Sequence, residues 1–233
     1  MIEEHSIGSA TTDYVRKVWY LPSSSTRPER IGLFLDGEYY VNQMDAPSVI
    51  RDLEARGEIP PTACVFVSHV DGAARHVDLT CNPQYNEFLV GDVLPWIRKR
   101  HPELPEGGHL IAGPSLGGLG AAFAVLNHPG IFSRCLAHSG SFWWNRERLR
   151  ARLDLCPPFQ AKWWLSVGSK ETQTGMSHPP SGLLQEVSQV AACEAFAQAL
   201  QDLGHEVEHH IYDGGHQIEP WKEELPDALR WLA

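Results

Sequence analysis

The pattern that most constrains this chain is an alternation of short, almost wholly apolar runs with longer stretches of helical period. Ile31-Gly32-Leu33-Phe34-Leu35, Ala63-Cys64-Val65-Phe66-Val67 and His109-Leu110-Ile111-Ala112 are too short and too apolar for surface helices. They read as buried strands, and residues 15–21, 134–137, 162–167 and 206–212 read as further strands. Between them, residues 85–98 carry Phe88, Leu89, Val93, Leu94, Trp96 and Ile97 at helical spacing. Residues 116–126 form a Gly/Ala-rich helix, residues 183–203 a long amphipathic helix stopped by Gly204, and residues 221–232 a closing helix. Strands buried on both faces and alternating with helices define an α/β fold with a mostly parallel central sheet covered on both sides. In such a sheet the ligand site lies at the carboxyl ends of the strands.

At 233 residues the chain suits a single domain spanning 1–233. Its formal net charge of -10 speaks against a nucleic-acid partner or an anionic membrane surface, either of which selects a basic face. The five cysteines, Cys64, Cys81, Cys135, Cys156 and Cys193, are odd in number, widely spaced and without a C-x-x-C pair. That pattern fits reduced thiols of a cytoplasmic protein better than a disulfide framework or a zinc cluster. The start, Met1-Ile2-Glu3-Glu4-His5, is acidic and no apolar run follows it, so a soluble protein is expected.

Gly113-Pro114-Ser115-Leu116-Gly117 matches G-x-S-x-G, with an apolar strand before it and a helix after it. A nucleophile elbow needs that context, because its tight strand-to-helix turn leaves no room for side chains two residues either side of the serine. Ser115 is therefore the candidate nucleophile. A serine hydroxyl needs a base, and Asp213-Gly214-Gly215-His216 places a histidine just beyond the last strand, so His216 is the candidate. The orienting acid should fall between them in chain order. Glu171 follows the Trp163-Trp164 strand and is preferred; Asp213, three residues before the histidine, is the rival, and a dyad without an acid is the third option. Oxyanion donors are expected from the backbone of Leu116 and from the turn after the Ile31 strand, at the Glu38 amide.

His205-Glu206-Val207-Glu208-His209 matches H-E-x-x-H, a zinc pattern that works only where residues i and i+4 share a helical face. Here Gly204 has ended a helix, and on a strand the two histidines stand about 13 Å apart at roughly 3.3 Å per residue. One zinc with bonds of about 2 Å cannot span them, so no metal and no cofactor are expected.

Taken together, these motifs resemble the enterochelin (ferric enterobactin) esterase branch of the putative-esterase family, relatives of esterase D and antigen 85. The blocks that carry the resemblance run from about Leu33 to the C-terminus. They are Leu35-Asp36-Gly37-Glu38, Arg75 with Asp78 to Asn82, the Ser115 motif, Ser139-Gly140-Ser141-Phe142-Trp143-Trp144, and Asp213-Gly214-Gly215-His216 with Trp221. The resemblance implies an α/β-hydrolase fold without a large cap, and hydrolysis of a small-molecule ester or lactone, in the namesake enzymes a catecholate siderophore. Acyl transfer from the same Ser-His site, or a binding member of the fold that has lost its chemistry, are the alternatives. Trp143 and Trp144 follow a strand on the site side and read either as an aromatic wall for a flat acyl group or as core. Arg75 is a candidate for binding an anionic or catecholate group, against the plainer reading of a surface arginine, and Asn82 is a further candidate.

Overall fold

A computed structural model describes residues 1–179 and 182–233. An eight-stranded sheet runs β1 (Glu3–Gly8), β2 (Val15–Leu21), β4 (Thr62–Val67), β3 (Arg30–Leu35), β5 (His109–Pro114), β6 (Phe132–His138), β7 (Lys162–Gly168), β10 (Glu206–Tyr212). β1 and β2 pair antiparallel to their neighbours, and every pairing from β4 onward is parallel. Parallel neighbours need crossovers. These are α1 (Gly37–Asn42) and α2 (Ala46–Ala55), then α3 (Gly72–Leu79), α4 (Pro83–Phe88) and α5 (Leu94–Arg98), then α6 (Leu116–Asn127). The short α7 (Trp144–Glu147), α8 (Gln189–Asp202) and α9 (Ile218–Trp231) complete the two helical layers.

The apolar runs divide strictly by period two between these layers. Ile31, Leu33, Leu35, Val65, Ile111, Cys135, Trp163 and Leu165 join the core that packs against α4, α6 and α8. Phe34, Cys64, Phe66, Leu110, Ala112, Leu136 and Trp164 face the other way, onto Tyr40, Ile50, Leu53 and the α9 residues Trp221, Leu225 and Leu229. Both faces are covered, so the strands have no polar side to show and read as unbroken apolar runs.

Two segments depart from the sequence reading. The helix expected over residues 183–203 begins only at Gln189, capped by the Ser188 side chain, which accepts the Ala191 N–H at 3.2 Å. Leu183–Gln185 is instead a strand, β9, paired antiparallel with β8 (Met176–His178). Apolar residues flanking a turn satisfy a helical period by coincidence, and Gly182, at φ +66°, turns the chain just before them. The helix expected over 85–98 is interrupted by a π turn, Leu89–Val93. Pro95 follows two residues after its end, where the ring and the missing N–H disrupt a regular i to i−4 ladder. The His205–His209 segment is extended, with Glu206 to His209 paired to Lys162 to Leu165, so its histidines share no helical face.

α8 is held to the sheet by Phe196, fully buried, stacked on Phe142 at 4.1 Å and edge-on to Trp163 at 6.0 Å. Phe196→Ala leaves a cavity that rigid neighbours cannot close, and should cost about 3–5 kcal/mol. A shift of the urea midpoint at unchanged m-value reads this directly, and a loss under 1 kcal/mol would refute the packing account.

Candidate active site

Ser115 stands between β5 and α6 at φ 56°, ψ −119°, a conformation that L residues adopt only when the surroundings impose it. The turn is tight: a Cβ on Gly113 would lie 2.3 Å from the carbonyl of Gly117. The Ser115 N–H donates to the His138 carbonyl of the neighbouring strand at 2.8 Å, and its own carbonyl accepts the Ser141 N–H at 3.0 Å. The elbow is thereby pinned to the segment leaving β6. Leu116 opens α6, so its N–H has no acceptor within the helix.

Glu171 follows β7 and His216 lies between β10 and α9, so the sheet brings three strand ends together. His216 Nδ1 is 2.6 Å from Glu171 Oε2. The other carboxylate oxygen accepts from the Ser139 hydroxyl at 2.7 Å, the Gly168 N–H at 2.8 Å and the Tyr212 hydroxyl at 3.1 Å. Trp221 Nε1 donates to the Tyr212 oxygen at 2.9 Å and reaches the Ser139 oxygen at 3.2 Å, closing the network. Burial alone would push the Glu171 carboxyl up. The hydrogen bond and charge of His216, with the Ser139 and Gly168 donors, outweigh it and hold the group below its ordinary value. A carboxylate at Nδ1 favours the tautomer that carries its proton on that nitrogen, which leaves Nε2 as the acceptor. Asp213, 86% exposed, is turned to Lys170 at 3.0 Å instead.

Ser115, Leu116, Glu171 and His216 line one cavity of about 520 Å³. Arg75, His76, Trp143, Met176, His178 and Lys170 form much of its remaining wall. Arg75 grips the buried Asp36 with two bonds of 2.8 and 2.7 Å, so its guanidinium is fixed in place at the cavity edge. Trp143 stacks on His178 at 4.4 Å. The other two candidates lie elsewhere. Trp144 packs against the core on the α6 and α8 side, and Asn82 caps α4, accepting the Gln84 N–H at 2.9 Å and donating to the Tyr14 hydroxyl at 3.2 Å. Glu38 is not among the lining residues; its carboxylate accepts from the Ser68 hydroxyl and from the His69 N–H at 3.2 Å.

Several contributors escaped the sequence reading. Ser139 and Ser141 lie inside the Ser-Gly-Ser-Phe-Trp-Trp block, where a short hydroxyl side chain carries no pattern of its own that marks a site. Gln189 donates to the carbonyls of Ser139 and, at 2.8 Å, Gly140, fixing that block from α8. Glu224 of α9 is a second buried carboxylate, 2.5 Å from His138 Nδ1 and 2.9 Å from His210 Nδ1, and it also accepts from the Ser166 hydroxyl. Burial raises its carboxyl, but His138, Ser166 and His210 overcome this and lower it. It braces the strand whose carbonyl holds the Ser115 N–H.

A mostly parallel sheet in this strand order, with a serine at the elbow after β5 and helices on both faces, is the α/β-hydrolase fold. Residues 9–232 match the profile of the family described as "Putative esterase", and the chain belongs to that family. It is 29% identical to an iron(III) enterobactin esterase of Dickeya dadantii over 96% of its own length and 53% of that protein's. The iron(III) enterobactin esterase of Escherichia coli K12 is 26% identical, over 92% of this chain and 52% of that one. The chain thus spans about half the length of these curated relatives. The crystal structure of an enterobactin esterase from Shigella flexneri superposes with a TM-score of 0.86 at 24% identity, covering 100% of this chain and 58% of that one. An IroE-like serine hydrolase from Shewanella oneidensis gives 0.77 at 20% identity, covering 99% of this chain and 79% of that one. Among the described residues no helix is long and apolar enough to cross a membrane.

Proposed function

We propose that residues 1–233 act as one catalytic unit, a serine esterase that cleaves the ester or lactone bonds of a siderophore-type substrate through an acyl-enzyme. The observation that carries this reading is the bond of His216 Nδ1 to Glu171 on the cavity that Ser115 also lines. His216 Nε2 takes the Ser115 proton as Oγ attacks the ester carbonyl, the carbonyl electron pair moves onto oxygen, and Glu171 stabilises the imidazolium that forms. The Leu116 N–H, at the positive end of α6, receives the oxyanion. The Glu38 amide is assigned as second donor: the 36–38 turn abuts the elbow, since a Cβ on Gly117 would lie 2.8 Å from Asp36 Oδ2. Collapse of the intermediate expels the alcohol, which collects the proton from His216, and water repeats the sequence to free the acid. The siderophore assignment rests on what the relatives are named for.

A hydrolysis panel tests it. The full chain should open a catecholate trilactone, with or without bound iron, at a kcat/KM well above that for nitrophenyl acetate. Turnover of simple esters alone would overturn the siderophore assignment and leave the esterase intact.

A further inference from the structure

Among the described residues, the nucleophile's hydroxyl has its hydrogen bond to Ser141 Oγ, at 3.4 Å, and none to His216. Ser141 is 3% exposed and lines the same cavity, and this is the bond its hydroxyl makes. Its position relative to Ser115 is not accidental. The Ser141 N–H is bonded to the Ser115 carbonyl at 3.0 Å, and the preceding turn is clamped by Gln189. Phe142, next in sequence, is stacked on Phe196. The Ser141 hydroxyl is therefore mounted rigidly against the nucleophile rather than resting there by chance.

We propose that Ser141 is a positioning residue that parks Ser115 away from its base in the free enzyme. The proposal rests on the reading of Ser115 as nucleophile and His216 as base. A serine hydroxyl has a single proton and three staggered side-chain positions. While Ser115 is engaged with Ser141, its oxygen makes no hydrogen bond to His216, and the proton has no direct path to Nε2. Rotation about one bond frees the oxygen, and a bound ester stabilises the rotated form because only there do base, nucleophile and carbonyl align. In the attack, the Ser115 O–H proton passes to His216 Nε2 and the new C–O bond forms at Oγ, while Ser141 keeps its own proton. A parked nucleophile spares Ser115 from reaction before a fitting substrate arrives.

The sign of the effect makes the idea testable, since loss of a merely structural contact slows an enzyme. Ser141→Ala removes the parking hydroxyl and strands no other group. It should raise the second-order rate of Ser115 labelling by a small fluorophosphonate about 2- to 3-fold, the population shift equivalent to a hydrogen bond at the weak end of the range, as its 3.4 Å length implies. Ser141→Cys, a weaker hydrogen-bonding group of similar shape, should fall between wild type and Ser141→Ala, and it keeps the test alive where the alanine variant folds poorly. Labelling unchanged or slowed in a variant with wild-type circular dichroism overturns the proposal. A Ser115→Ala control separates the two readings: labelling that survives there refutes the nucleophile, whereas labelling abolished there but indifferent to Ser141 refutes only the parking.

Discussion

Replacing Ser115 by alanine is expected to lower ester turnover by about 10^6-fold, the order found when a serine hydrolase loses its nucleophile. No other group in the cavity can substitute for it. Ser141 is the nearest hydroxyl, but the Ser115 elbow is what places an oxygen at the start of α6, beside the Leu116 amide. KM should change little, because Arg75, Trp143 and the rest of the wall remain. The variant should also fold normally: removing Oγ releases only the 3.4 Å bond to Ser141, while the backbone bonds to His138, Leu119 and Ser141 persist. His216→Ala should cost about as much, and the double variant no more than either, the outcome expected of a proposed nucleophile and base that act as one unit. Steady-state kinetics on a nitrophenyl ester settle the matter, and a Ser115→Ala enzyme within tenfold of wild type ends the serine mechanism.

The sheet was legible because its chemistry is local. Continuous apolar runs such as 31–35 and 63–67 announce burial on both faces, and the glycines around Ser115 announce a turn that tolerates nothing larger. That Ser115, Glu171 and His216 meet on one cavity was readable from position: each follows a recognisable strand, and parallel topology brings strand ends together. What sequence could not show is direction. Trp143 and Trp144 are neighbours with the same side chain, yet Trp143, buried in the core on the α6 and α8 side, also lines the cavity, whereas Trp144 packs against that core without reaching the cavity. Glu224 sits in an amphipathic helix as any solvated carboxylate would, and only the fold reveals that it is buried between two histidines. The β8–β9 hairpin failed differently. Leu183 and Leu184 fit a helical period, and the strand pairing that claims them comes from His178 and Ser177, on the preceding strand, which a helical period read along 183–203 alone does not register.

Glu171→Gln should lower kcat by about 10^3- to 10^4-fold while sparing the fold. The size of the effect depends on which way the new amide faces. Oε1 accepts from the Ser139 hydroxyl, the Gly168 N–H and the Tyr212 hydroxyl, so the glutamine oxygen is drawn to that side. Its NH2 is then left facing His216 Nδ1, where the carboxylate had accepted a hydrogen bond at 2.6 Å. A donor there forces Nδ1 to become the acceptor, moves the imidazole proton to Nε2, and sets a second donor against the Ser115 hydroxyl in place of a base. The negative charge that stabilises the imidazolium disappears in the same step. Because three of the four contacts survive, the thermal midpoint should stay within a few degrees of wild type. Asp213→Asn serves as the counter-experiment, since that carboxylate is 86% exposed and engaged with Lys170; its rate should stay within twofold. The reverse outcome, a crippled Asp213→Asn beside a healthy Glu171→Gln, would move the acid to Asp213. Two unimpaired variants would leave a Ser115–His216 dyad that needs no carboxylate.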